Sequence, residues 1–241
     1  MDVLAIDSTG NYTSVASKIG DDLLSISVNH ERKSRPDWQS LMQNISVDSK
    51  DLSNFDLFVF GQGPGSYTSI RSVATFLKAI SLTQSKPLMP ISNLECIAFE
   101  HTIFNKEDQA LHCAILSDIK SEAYYAEFNF VDGSLKNIGS EILVNKSDLE
   151  RILSEDTGAV FLGNAWDLVD EVNVNLDIKS NAASLIELAL SKYSEDSKYK
   201  PEDANPVYIK ETTYKKLNDQ WHYISNTAKH NSGINWISSN I

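Results

Sequence analysis

The stretch GQGPGSYTSIR, from Gly61 to Arg71, constrains this chain more than any other. An apolar run, Phe55 to Phe60, precedes it and reads as a buried strand. A helical apolar pattern, Val73, Phe76, Leu77 and Ile80, follows it. The order is therefore strand, glycine-rich turn, helix. Gly61, Gly63 and Gly65 permit positive φ and close backbone approach, and Pro64 removes one donor. Ser66 or Thr68 is placed to cap the helix. A helix start of this kind can hold an anion. It can equally be a tight turn that packs a helix on a sheet. The stretch is neither a Walker loop, since no Lys-Ser or Lys-Thr follows, nor a GxGxxG fingerprint.

With 241 residues and 41% hydrophobic content, the chain can fold around a sizeable core. No apolar run approaches the ~20 residues of a membrane span. The start, MDVLAIDSTG, has no basic region before its apolar stretch, so a secretory signal is not expected. Cys96 and Cys113 are too few for a disulfide framework or zinc site, and buried thiols in a cytoplasmic protein are expected. The five histidines form no HExxH or HxxxH, so no metal site is expected. The net charge is −12, and the region 101–197 alone carries −11. So acidic a chain repels a phosphate backbone, and any action on RNA needs a more basic partner.

The pattern predicts strands at Val3–Ile6, Thr13–Ile19 and Leu23–Val28, the last two joined as a hairpin by Gly20-Asp21-Asp22. Asp7-Ser8-Thr9-Gly10-Asn11 reads as a polar turn. Pro36 opens a helix through Ile45 with Trp38, Leu41, Met42 and Ile45 as an apolar stripe. That stripe packs either on the sheet or on another subunit. Lys86 to Ile91 is a short strand or connector, and Ser92 caps a helix running to about Asn105. The second half predicts strands at Leu111–Leu116 and Ala123–Phe130, then an Asp132-Gly133 turn and a single returning strand, Leu135–Val144. Helices at Lys146–Ser154 and Ala182–Tyr193 flank a strand at Val160–Leu162 and a short helix carrying Trp166. Two similar halves suggest duplicated lobes, 1–105 and 106–217, with a polar extension, 218–241, whose Trp221 and Trp236 could dock on the body. The strand–helix order is that of an α/β, actin-like ATPase fold, also called sugar-kinase-like or Hsp70-like, with a mixed sheet in each lobe.

Six ordered stretches resemble the TsaB family. Gly63 to Arg71, GPGSYTSIR, is similar to its GPGSFTGLR signature, with Tyr67 for Phe and Ser69 for Gly. Leu4 to Thr9 is similar to its LAIDTS start. Asp37 to Met42 resembles its helix with a His and a spaced Leu, Asp37 replacing the His. Ile115 to Tyr124 resembles its DAR…EVY hairpin, with Lys120 for Arg. Gly163-Asn164-Ala165-Trp166 and Pro206 to Lys210 resemble its GxG turn and its PxYLR ending.

The resemblance implies a scaffold, not an enzyme. TsaB-like proteins share the fold of the transferase subunit TsaD but lack its metal-binding histidine pair. They join it, with the small ATPase TsaE, to make threonylcarbamoyladenosine next to the anticodon of ANN-decoding tRNAs. The partner surface so implied is the pair of helices 36–45 and 68–82, with Trp38, Leu41, Met42, Ile45, Arg71, Thr75 and Lys78 at or near it. ATP and a divalent metal belong to the partner subunits, and tRNA is reached only through the complex. Asp7, Ser8, Thr9, Gly63, Gly65 and Ser66 are then degenerate phosphate loops. The residues also leave open a stand-alone ATPase or small-molecule kinase using Asp7. Against that stands the lack of a paired-glycine loop in the second half: Gly133, Gly139, Gly158 and Gly163 are isolated. A further alternative is a homodimer through the same helices. Ser66 is no nucleophile elbow, because GPGSY lacks the second glycine of GxSxG.

Overall fold

The computed structural model describes residues 1–8, 12–30, 37–119, 121–169, 177–194 and 199–209, all within one unit, Met1–Ile209. Thr9, Pro36, Lys120, Lys210 and the extension 218–241 lie outside the described residues.

Two five-stranded mixed sheets carry the fold. The first has the order β3-β2-β1-β4-β5, built from β1 (Val3–Ser8), β2 (Tyr12–Ile19), β3 (Asp22–Asn29), β4 (Leu57–Gly63) and β5 (Leu88–Ser92). Strands β1, β2 and β3 run antiparallel, while β4 and β5 continue parallel to β1. The second sheet has the order β10-β6-β7-β8, from β6 (Gln109–Leu116), β7 (Glu122–Val131), β8 (Ser134–Asn137) and β10 (Val160–Leu162). Strand β9 (Ile142–Asn145) also pairs with β7. Strand β6 holds the place of β1: antiparallel to the next strand, parallel to a later one. This is the actin-like α/β arrangement expected from the strand order.

Strand alternation assigns the residues to two layers. Leu4, Ile6, Phe58 and Phe60 face one way, into a core closed by α1 (Trp38–Asn44) and α2 (Tyr67–Gln84). Val3, Ala5, Leu57 and Val59 face the other way, onto α5 (Ala182–Lys192) and Cys96 of α3 (Asn93–Phe104). Both faces are covered, so β1 and β4 read as continuous apolar runs rather than alternating ones. Helix α3 covers one face of the second sheet through Leu94, Ile97 and Ala98. The other face packs Tyr125, Phe161 and Trp166 against Leu149 of α4 (Lys146–Glu155). The Trp166 indole donates to the Leu162 and His112 carbonyls.

Three boundaries differ from the sequence reading. Helix α1 begins at Trp38, because Asp37 accepts from the Ser40 N–H and is the N-cap. The expected returning strand 135–144 is two strands, since β8 and β9 pair with opposite ends of β7 and the chain leaves the ladder between them. The strand before the glycine turn is Leu57–Gly63, with Phe55 left in the core before it.

Candidate functional site

Asp7 ends the apolar part of β1 and is fully buried. It is not the turn or cap residue that its polar neighbours suggest. Asn93, the first residue of α3, donates from Nδ2 to Asp7 Oδ1 at 2.8 Å and to Ser180 Oγ at 3.0 Å. The Asn93 amide oxygen accepts from the Gly63 N–H at 2.7 Å. One side chain thus ties together β1, β4 and the residue preceding the N-cap of α5. Gly61 makes this approach possible: a Cβ there would lie 2.3 Å from Asp7 Oδ1 and 2.7 Å from Asn93 Nδ2. Asp7 Oδ2 has no partner among the described residues. Burial holds the Asp7 pKa above the ordinary carboxylate value, and hydrogen bonds accepted from Asn93, Ser180 and the Ser8 backbone only partly oppose this. A carboxylate poised for magnesium and phosphate would be ionised and open; this one is enclosed and biased toward its neutral form.

The other described candidates of these loops are Ser8, Gly63, Gly65 and Ser66. Ser8 is buried and shares a hydrogen bond with Thr13 Oγ1 at 2.9 Å. Ser66 occupies the N-cap of α2, yet its side chain makes no capping bond; it accepts from Ser69 Oγ at 3.3 Å. Gly63 has φ of 108°, and a Cβ there would sit 3.1 Å from the Val207 carbonyl. The chain at Val207 packs directly on the turn, its N–H bonded to the Gln62 carbonyl at 2.9 Å. Gly65, half-buried, completes the bend. The chain's C-terminal segment thus packs on the turn at Gln62 and Gly63.

The seven expected partner-surface residues separate. Leu41, Met42 and Ile45 are buried in the chain's own core with Phe58 and Leu77. The stripe on α1 therefore meets the sheet, and these three are not surface residues. Trp38 is half-buried, its ring stacked on Phe76 at 6.1 Å. Lys78 reaches the C-terminal segment, bonding Asn205 Oδ1 at 2.7 Å and the Glu202 carbonyl at 3.3 Å. Arg71 and Thr75 are exposed on α2. Arg71 donates to the Tyr67 hydroxyl at 2.7 Å and its guanidinium lies 5.0 Å from that ring's centre. Tyr67 in turn packs on Tyr208 at 4.8 Å. The open face of α2 thus carries a contiguous Tyr208–Tyr67–Arg71 cluster followed by Ser72, Thr75 and Ala79. The sequence reading missed Asn93, Ser180 and Tyr208. The PxY pairing with the glycine turn is long-range, and only the string itself hinted at it.

Cys96 and Cys113 are free and buried; burial pushes the Cys96 thiol up to about 12. Among the described residues, no three His, Cys, Asp or Glu side chains are grouped to hold a metal ion. No described helix is long and apolar enough to cross a membrane.

The family model for TsaD, tRNA N6-adenosine threonylcarbamoyltransferase, matches residues 25–206. The chain belongs to that family. Within it, this is a TsaB-like protein. It is 28% identical over 171 residues to the tRNA threonylcarbamoyladenosine biosynthesis protein TsaB of Bacillus subtilis, covering 68% of this chain and 71% of that one. It is 23% identical over 232 residues to TsaB of Escherichia coli, covering 90% and 98%. The solved structure of YeaZ from Pseudomonas aeruginosa superposes with a TM-score of 0.70 at 23% identity, covering 86% of this chain and 99% of that one. The TsaB-like chain therefore shares the YeaZ fold over nearly all its described length.

Proposed function

We propose that this chain is the scaffold subunit that pairs with a TsaD-type transferase in making threonylcarbamoyladenosine in tRNA. The observation that carries the reading is the match to TsaB proteins over up to 90% of the chain. The geometry agrees with it. The one acidic residue placed for phosphate chemistry, Asp7, is enclosed and clamped by Asn93. The chain supplies no catalytic group, and ATP and the divalent metal sit in the partner subunits. A TsaE-type ATPase joins the pair. With a net charge of −12, the chain meets tRNA only through the complex, in the cytoplasm. Of the first-lobe residues, Arg71 and Thr75 on the open face of α2 are the contact, while Leu41, Met42 and Ile45 support it from beneath. The stand-alone kinase reading has no observation in its favour.

The deciding experiment mixes the purified chain with the TsaD-type subunit of the same organism and measures complex formation and tRNA modification. A stable complex, with modification only when both are present, is expected. Modification by the TsaD-type subunit at full rate without this chain refutes the proposal.

A further inference from the structure

The segment 199–209 runs back along α2 as a strap. Just past the end of the helix, the Leu88 N–H donates to the Tyr199 carbonyl at 3.1 Å. Midway, Lys78 donates to the Glu202 carbonyl and to Asn205 Oδ1. At the start of the helix, the Val207 N–H donates to the Gln62 carbonyl and the Tyr208 ring lies on Tyr67. Between these anchors Ala204 is buried in the core with Leu77.

Packing within the chain does not account for two features of this strap. Val207 and Tyr208 remain 38% and 49% exposed, although Ala204 and the Val207 backbone already anchor the segment. Lys78 continues the helical stripe of Arg71 and Thr75, yet it is half-buried. Its ammonium meets a carbonyl and an amide oxygen of the strap rather than a carboxylate. The charge is turned toward the strap, not outward. Lys78 grips Asn205, and the next three residues, Pro206, Val207 and Tyr208, carry the chain to the Tyr67 ring. Losing that grip frees the approach to Tyr67, and a partner must then order the segment as it binds.

We infer that Tyr208 of the strap contacts the TsaD-type subunit, and that Lys78 is a positioning residue that holds Tyr208 in place for it. The inference rests on the scaffold reading above and adds a second chain segment to its contact. Tyr208, Tyr67 and Arg71 touch in sequence, so the strap continues the open face of α2 without a break. Tyr and Arg are enriched in protein interfaces, and here they come from two segments far apart in the chain. The occupant is the protein subunit rather than tRNA, because a chain of net charge −12 repels a phosphate backbone. Lys78 was expected at the partner surface from the sequence; its geometry makes its effect on the partner indirect.

Calorimetric titration of the full chain with the TsaD-type subunit tests this, with urea unfolding of each variant alongside. Tyr208→Ala is expected to weaken binding about tenfold or more. Lys78→Met keeps the aliphatic stem and removes the donor, and Asn205→Ala removes the acceptor on the exposed strap. Each is expected to weaken binding by about threefold or more. In a Tyr208→Ala background, neither is expected to cause a further loss, because both act through Tyr208. If Lys78→Met and Asn205→Ala lower stability but leave affinity unchanged, Lys78 is merely structural and the positioning role is overturned. Fully additive losses overturn it too, since Lys78 would then touch the partner itself. Full affinity in Tyr208→Ala, with Arg71→Ala weakened, removes the strap from the contact and leaves the scaffold reading standing. A wild-type chain that does not bind the subunit at all refutes the scaffold reading, and this inference with it.

Discussion

Asn93 Nδ2 donates to Asp7 Oδ1 across 2.8 Å inside the protein, where the end of β1 meets the first turn of α3. The contact occupies the acidic group that a nucleotide-hydrolysing relative would need free. It also makes the carboxylate a cost to the fold. Asp7 Oδ2 lacks a partner among the described residues, and burial favours the neutral acid.

Asp7→Asn should therefore stabilise the protein at neutral pH. The folded-state pKa is raised, so the stability linked to Asp7 is fully present below its unfolded value and is lost as pH rises through the folded value. The amide removes that loss. A gain of about 1–2 kcal/mol in urea unfolding is expected at pH 7, shrinking toward zero below about pH 4. tRNA modification by the complex should be unchanged. A folded Asp7→Asn chain whose complex is inactive would return a catalytic role to this residue.

Gly61→Ala tests the same junction from the backbone side. The added methyl would lie 2.3 Å from Asp7 Oδ1 and 2.7 Å from Asn93 Nδ2, which is hydrogen-bonded to that oxygen. A loss of about 1–3 kcal/mol is expected, as for other overpacked sites. Removing the nearest obstructing oxygen should relieve part of it. In a double-mutant cycle with Asp7→Ala, the two losses should be non-additive by at least about 1 kcal/mol. Additive losses would mean the two positions do not meet.

Leu41→Ala should cost about 2–4 kcal/mol of stability, and Leu41→Asp should prevent folding, because Leu41 sits in the core beneath α1. Circular dichroism and urea unfolding read both. If Leu41→Asp stays folded and loses only its partner, the side chain belongs to an interface after all.

Leu41 also shows where legibility ended. The spacing of Trp38, Leu41, Met42 and Ile45 gives α1 an apolar stripe, and local pattern is enough for that. Pattern cannot say whether the covering surface is the chain's own sheet or another molecule, since both bury the same side chains. β1 and β4 were readable because burial on both faces leaves uninterrupted apolar runs. The hairpin β2–β3 was readable because Gly20-Asp21 closes it locally. Asn93 was not, because its partners Asp7 and Ser180 lie 86 and 87 residues away. A polar residue just after a helix cap has no local mark of a buried clamp. The β8–β9 break did carry a local mark, Gly139-Ser140 between Leu135 and Val144, and pairing with β7 shows the two separate registers.

The open face of α2 offers the sharpest test of the subunit contact. Tyr67 and Arg71 are exposed, yet each is held: the guanidinium by the Tyr67 hydroxyl, the Tyr67 ring by Tyr208. Pre-ordered Tyr and Arg side chains lose little entropy on binding, and these residue types dominate interface energetics. Tyr67→Ala and Arg71→Ala should leave stability within about 0.5 kcal/mol, as surface changes do. Each should weaken binding of the TsaD-type subunit by about 2 kcal/mol, roughly thirtyfold in Kd. Because Arg71 lies on Tyr67, the double variant should cost less than the sum. Calorimetric titration of the three variants measures this directly. Unchanged affinity in all three would move the contact off α2.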